Sequence, residues 1–145
     1  MSTVRGCEIP EELHYWVEKH VWARDEGDGL LTIGVTDTAQ HLAARVVAVT
    51  AKRAGRTVER GQSVATLESG KWVGLVPALV DGEIVEVNPA MSTTPTLVNS
   101  DPYGAGWVVK FRARDWPGQR GELVTGAAGV EAYRAFLEAE GISCD

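Results

Sequence analysis

The segments Gln62-Ser63-Val64-Ala65-Thr66-Leu67 and Asp81-Gly82-Glu83-Ile84-Val85-Glu86-Val87-Asn88 alternate polar and apolar residues. Between them lies Glu68-Ser69-Gly70-Lys71-Trp72. Period-two alternation makes each flank a β-strand with one buried face, so the lysine falls at the tip of a turn between strands. A hairpin-tip lysine contributes little to packing. It is well placed for modification by another enzyme, which would make the chain a carrier and not a catalyst.

Working outward, Leu13 to Trp22 is rich in β-formers and predicts one or two short strands. A charged turn from Arg24 to Gly29 precedes a strand at Leu30–Val35. Thr36-Asp37-Thr38-Ala39-Gln40 predicts a short helix, with Asp37 as cap, Gln40 reaching back, and Leu42 and Val46 on its buried side. Strands follow at 46–49 and 57–58, separated by the basic loop Lys52-Arg53-Ala54-Gly55-Arg56. Pro89, Pro95 and Pro102 predict an irregular stretch over 89–102. Trp107–Arg112 reads as a closing strand. Val130, Tyr133, Phe136 and Leu137 fall at helical spacing, giving a terminal helix over about 129–140 that ends before Gly141. Many short strands with Gly-rich turns indicate a mainly β sandwich or barrel. The arm ending at Lys71 and the arm beginning near Gly82 suggest two facing hairpins of a flattened, quasi-symmetric barrel.

With 145 residues the chain is expected to form a single domain, 1–145, with one core. A net charge of −6 argues against binding nucleic acid, which requires clustered cations. It suits docking onto basic protein surfaces. No apolar run is long enough to span a bilayer and the N-terminus has no apolar signal core, so the expected location is cytoplasmic. Cys7 and Cys144 cannot make a metal site by themselves. They read as two surface thiols, or alternatively as a disulfide tying the chain ends together. His14, His20 and His41 are too widely spaced to be ligands, and no nucleophile–base set or phosphate loop can be assembled.

Four stretches, in order, resemble one family. They are His20-Val21-Trp22; Gly34-Val35-Thr36-Asp37-Thr38-Ala39-Gln40; Glu68-Ser69-Gly70-Lys71 with Gly82 to Asn88 following; and Leu97-Val98-Asn99-Ser100-Asp101-Pro102-Tyr103-Gly104-Ala105-Gly106-Trp107. Together they resemble the H protein of the glycine cleavage system. That resemblance implies a barrel-sandwich hybrid of the lipoyl/biotinyl-carrier type with a short internal helix and a C-terminal helix. It also implies a non-catalytic role, lipoate bound covalently to Lys71, and Glu68 and Gly82 as positions read by lipoate-attaching enzymes. Gly82 is expected to serve a tight turn.

The family's Glu-Ser-Val-Lys is Glu68-Ser69-Gly70-Lys71 here, and its Leu-Gly-Asp stretch is replaced by Leu42-Ala43-Ala44-Arg45. These departures resemble a divergent branch of lipoate-binding proteins linked to the heterodisulfide-reductase-like sulfur-oxidising system. The implied partners are that complex and dihydrolipoamide dehydrogenase, with sulfur intermediates as cargo. The alternative is glycine cleavage itself, with glycine decarboxylase and aminomethyltransferase as partners. A non-modified adaptor is a third reading. A biotin carrier is disfavoured by Gly70 and Trp72, because methionines usually flank a biotinylated lysine. A Schiff-base enzyme would need a desolvated lysine, the opposite of a hairpin tip.

Overall fold

The computed structural model describes residues 2–145. In chain order the strands are β1 (Ser2–Val4), β2 (Cys7–Ile9), β3 (His14–Trp16), β4 (Val21–Gly27), β5 (Leu30–Val35), β6 (Val46–Ala51), β7 (Thr57–Val58), β8 (Ser63–Ser69), β9 (Val73–Pro77), β10 (Gly82–Val87), β11 (Val109–Ala113) and β12 (Val124–Thr125). The helices are α1 (Asp37–Ala43), α2 (Ala90–Thr93), α3 (Leu97–Ser100), α4 (Trp116–Gln119) and α5 (Gly126–Glu140), with 3-10 turns at Val17–Lys19 and Arg120–Glu122.

A seven-stranded antiparallel sheet in the order β12-β3-β4-β5-β11-β10-β7 packs against a three-stranded sheet, β6-β8-β9. Alternation supplies the core between them. Ala23, Leu31 and Ile33 come from one sheet, and Val49, Val64 and Leu67 from the other. A second apolar cluster lies outside the sandwich. There Tyr133 and Leu137 of α5 cover Tyr15 and Trp22, and the β1–β2 hairpin closes the edge with Val4, Cys7 and Ile9. The mainly β architecture expected from the turn pattern is present, and the two arms around Lys71 lie in different sheets that share the core.

Several local expectations are corrected. Thr36, not Asp37, caps α1: its hydroxyl accepts from the Ala39 N–H at 3.2 Å. Asp37 instead accepts from Gln40 Nε2 at 2.8 Å and from the Glu8 N–H at 2.8 Å, joining α1 to β2. The buried residues of α1 are Thr38 and Ala43, and Leu42 is 43% exposed. The proline-rich stretch 89–102 is not irregular but holds two single-turn helices, α2 and α3. Proline is compatible with a helix start, where its missing N–H is not required. Helix α5 begins at Gly126, earlier than the apolar spacing implied, and ends on Gly141 in the left-handed region at φ 67°. The cysteines are not surface thiols: Cys7 is fully buried and bonded to Cys144.

Two features trace directly to single residues. Asp28 and Gly29 both have positive φ, as a type I′ hairpin turn requires, and they close β4 onto β5. Ala44 ends α1 at φ 63°, ψ −148°, a conformation that glycine alone adopts without strain. It lies in the stretch that replaces the family's Leu-Gly-Asp.

Candidate functional site

Strands β8 and β9 form a hairpin with Gly70 and Lys71 at its tip. The Ser69 N–H donates to the Trp72 carbonyl at 2.8 Å, closing the loop. Within it, the Lys71 N–H reaches Ser69 Oγ at 3.4 Å. Neither Gly70 nor Lys71 has positive φ, and a Cβ on Gly70 would meet nothing within 4 Å. The family's valine would therefore fit at Gly70, and glycine leaves the lysine on a less restricted loop. Lys71 is exposed, and among the described residues its ammonium makes no ion pair. Lys110, by contrast, is held by Thr32 Oγ1 at 2.9 Å.

Trp72 turns back over its own strand. A Cβ on Gly74 would fall 2.0 Å from Trp72 Cη2, so the indole occupies the space a side chain would take. Being 48% exposed, Trp72 forms one wall of a groove of about 320 Å³. The groove floor is Leu67, Val76 and Val35, and its far wall is Ala39 and Leu42 from α1. Glu18, Lys19 and His20 complete it from the 3-10 turn. Lys71 is thus rooted at the rim of a mostly apolar groove beside the residue that walls it.

His20 is the ordered polar group of that groove. It sits at φ 56°, ψ 41°, in the left-handed region, as the residue that caps the 3-10 turn Val17–Lys19. Its Nδ1 lies 2.6 Å from the Tyr133 hydroxyl, which lies 2.8 Å from Thr36 Oγ1. The ring stacks on Tyr133 and meets Phe136 edge-on. Burial pushes the His20 pKa below its usual value, partly opposed by Glu18, so the imidazole is neutral at pH 7. Burial likewise raises Tyr133, keeping its phenol protonated.

Of the three residues expected at the site, Glu68 shares the hairpin with Lys71 and Gly82 lies outside it. Glu68 lies on β8 three residues before Lys71, exposed and opposite Val73 and Ala48, so it flanks the loop on the outer face of its sheet. Gly82 opens β10 and pairs with Val58 and Ala113, neither of which belongs to the Lys71 hairpin. It is not in a left-handed turn. A Cβ there would lie 2.2 Å from the Arg112 carbonyl oxygen and 2.6 Å from the Phe111 ring. Glycine is required at this position for close strand approach, which corrects the expected turn role.

The remaining motif residues brace the site from behind. Gly34 faces Trp22 across β4 and β5, and a Cβ would lie 2.5 Å from the indole, whose Nε1 donates to the Val35 carbonyl at 2.9 Å. Asn99 accepts from the Val46 N–H and donates to the Ala44 carbonyl and Gln40 Oε1, fixing the end of α1. The Tyr103 hydroxyl accepts from the Asp37 N–H and donates to the Glu8 carbonyl. No cluster suited to a metal ion occurs among the described residues. Sequence reasoning missed the groove and the His20–Tyr133–Thr36 network. The only advance signals were His20 in its motif and Tyr133 at core spacing.

Comparison with known proteins agrees with this fold. The family model for the glycine cleavage H-protein matches residues 14–138. The chain is 47% identical to "Probable glycine cleavage system H protein 2" of Sulfurisphaera tokodaii, over 99% of this chain and 98% of the relative. It is 43% identical to "Glycine cleavage system H protein 5" of Aquifex aeolicus, over 99% of both chains. The crystal structure of a glycine cleavage system H protein from Mycobacterium marinum superposes with a TM-score of 0.75 at 31% identity, covering 92% of this chain and all of that one. Glycine cleavage H proteins are non-catalytic carriers with lipoate attached covalently to a lysine, and the present mainly β sandwich is their barrel-sandwich hybrid. The chain belongs to the glycine cleavage H-protein family.

Proposed function

We propose that Lys71 is the lipoyl attachment site and that the chain shuttles a reaction intermediate between partner enzymes. The observation that carries this reading is an exposed lysine that makes no ion pair among the described residues, on a two-residue hairpin tip at the rim of a mostly apolar groove. Lipoate joined to Nζ as an amide would supply a dithiolane able to open to two thiols and take up a fragment on sulfur. The chain itself contributes position. The loop holds Nζ away from the sheet, amide formation removes its charge, and tethering raises the local concentration of the arm at each partner. Glu68 offers lipoate-attaching enzymes a carboxylate beside the target amine. Gly82 acts by holding β10 tight to β11. Dihydrolipoamide dehydrogenase is the expected partner for reoxidation.

The groove chemistry favours a sulfur cargo over an aminomethyl one. An ammonium needs hydrogen-bond acceptors or anions, and here the single carboxylate, Glu18, sits next to the opposing charge of Lys19. The other lining side chains, apart from His20, are apolar. The relatives in Aquifex and Sulfurisphaera carry the numbers 5 and 2, which fits organisms with more H-type carriers than one glycine cleavage system uses. The partner in this proposal is the heterodisulfide-reductase-like sulfur-oxidising complex, in the cytoplasm. The second reading is glycine cleavage with glycine decarboxylase and aminomethyltransferase, and the names of the relatives favour it. The lipoylated protein should be offered as acceptor in glycine decarboxylation. Failure to load methylamine, with uptake of sulfane sulfur, is the expected result; robust methylamine loading would establish the second reading.

A further inference from the structure

We infer that His20 presents its Nε2–H to the groove as a fixed hydrogen-bond donor, and that this donor receives an anionic sulfur, a thiolate or persulfide, at the end of the Lys71 arm. The inference rests on the carrier reading above and adds the group that discriminates among cargoes.

The tautomer follows from hydrogen-bond accounting. Thr36 is fully buried, and its Oγ1 already accepts from the Ala39 N–H at the start of α1. Its own hydroxyl proton has one partner within reach, the Tyr133 oxygen at 2.8 Å. Thr38 Oγ1, buried beside the same phenol and without another partner, is a second hydroxyl that needs the Tyr133 oxygen as acceptor. If Thr36 and Thr38 both donate to Tyr133, the phenol proton is free to donate to His20 Nδ1 at 2.6 Å, and every buried hydroxyl proton of the network is used. With Nδ1–H as donor, the phenol oxygen would accept from His20 and from only one of the two threonines, leaving the other's hydroxyl proton buried without an acceptor, which costs about 1–3 kcal/mol. Nδ1 is therefore an acceptor, and the neutral ring carries its proton on Nε2.

Among the described residues Nε2 has no hydrogen-bond partner, and it is not one of the buried polar atoms left unpaired, so it is open to the solvent side. Tyr133 stacks on one ring face and Phe136 approaches at the edge, which leaves the groove as that open side. A fixed N–H suits a hydrogen-bond acceptor, above all a charged one, and offers nothing to an ammonium. The charged and titratable groups around it are Glu18 and Lys19 on the same turn, Tyr133 on α5, and Asp37 on α1, which acts on Tyr133. Lys19 reinforces an anionic guest and Glu18 opposes it. Asp37 and the protonated Tyr133 leave the polarity of the relay unchanged.

The test has two parts. In 15N-labelled protein without lipoate, two-bond 1H–15N spectra should show His20 as the Nε2–H tautomer, and Tyr133→Phe should convert it to a mixture. An Nδ1–H tautomer in the parent protein would overturn the inference. In protein shown by intact mass to be lipoylated, the reduced arm is alkylated with iodoacetamide across pH and read on the Lys71 peptide. His20→Asn keeps a residue that tolerates the left-handed backbone. It should move the alkylation midpoint upward by roughly 0.5–1 pH unit, with a smaller shift in the same direction for Tyr133→Phe. Unchanged midpoints in both variants would overturn it. No mass gain would sink the carrier reading instead, while the tautomer result would still stand.

Discussion

Replacing Cys144 by Ser releases the chain ends from each other, and the size of the effect follows from where the bridge sits. Cys7 and Cys144 are 137 residues apart, so the disulfide closes nearly the whole chain in the unfolded state. Chain-entropy reasoning gives about 5 kcal/mol for a loop of that length, as an upper figure. The native contacts near the bridge survive the substitution. The Cys144 N–H donates to the Arg5 carbonyl at 2.9 Å, and Arg5 Nε donates to the Ile142 carbonyl at 2.7 Å. The loss therefore falls on the unfolded state, and Cys7 stays in an apolar pocket that suits a thiol. At 2–4 °C per kcal/mol for a chain of this size, Tm should fall by roughly 10–20 °C. Calorimetric melts of the parent protein with reductant and of Cys144→Ser without it should coincide at the lower value. A variant melting within about 2 °C of the oxidised parent would refute the bridge as the clamp of the termini.

Ala44→Gly should raise stability by about 1–2 kcal/mol in urea titrations, because the φ 63°, ψ −148° backbone is strained for alanine. Gly82→Ala should lower it by about 1–3 kcal/mol, since the new methyl meets the Arg112 carbonyl and β10 must leave β11. Trp72→Ala should leave Tm within a few degrees, the indole being half exposed, yet speed alkylation of a reduced Lys71 arm by opening the groove wall. Burial lowers the pKa of both His14 and His20, so the unfolded chain takes up protons first as pH falls. Stability is then full above about pH 6.5 and declines below it. Urea midpoints between pH 7.5 and 5 should fall by roughly 10% or more, with a shallower slope in His20→Asn.

Strands and hairpins were legible because period-two alternation is local, as in Ser63–Ser69 and Gly82–Val87. Lys71 was legible for the same reason, since a tip between two such runs has nowhere to go but outward. What local pattern could not show depends on partners distant in sequence. Gly82 looks like a turn glycine until Arg112 is seen pressed against it. Leu42 looks like a core residue until the groove wall is seen to need it exposed. The relay from Thr36 through Tyr133 to His20 joins residues 97 and 113 positions apart, which no window along the chain spans. The same holds for the disulfide, where two thiols at the chain ends were equally compatible with separation.

The most direct measurement is a peptide map of the protein expressed with lipoate-attaching enzymes. The chain has lysines at Lys19, Lys52, Lys71 and Lys110, so each site can be told apart. The expected result is the mass of one lipoyl group, confined to the peptide containing Lys71 and absent from Lys71→Arg. A protein that gains no mass, or gains it on another lysine, would contradict the assignment of Lys71 as the carrier residue.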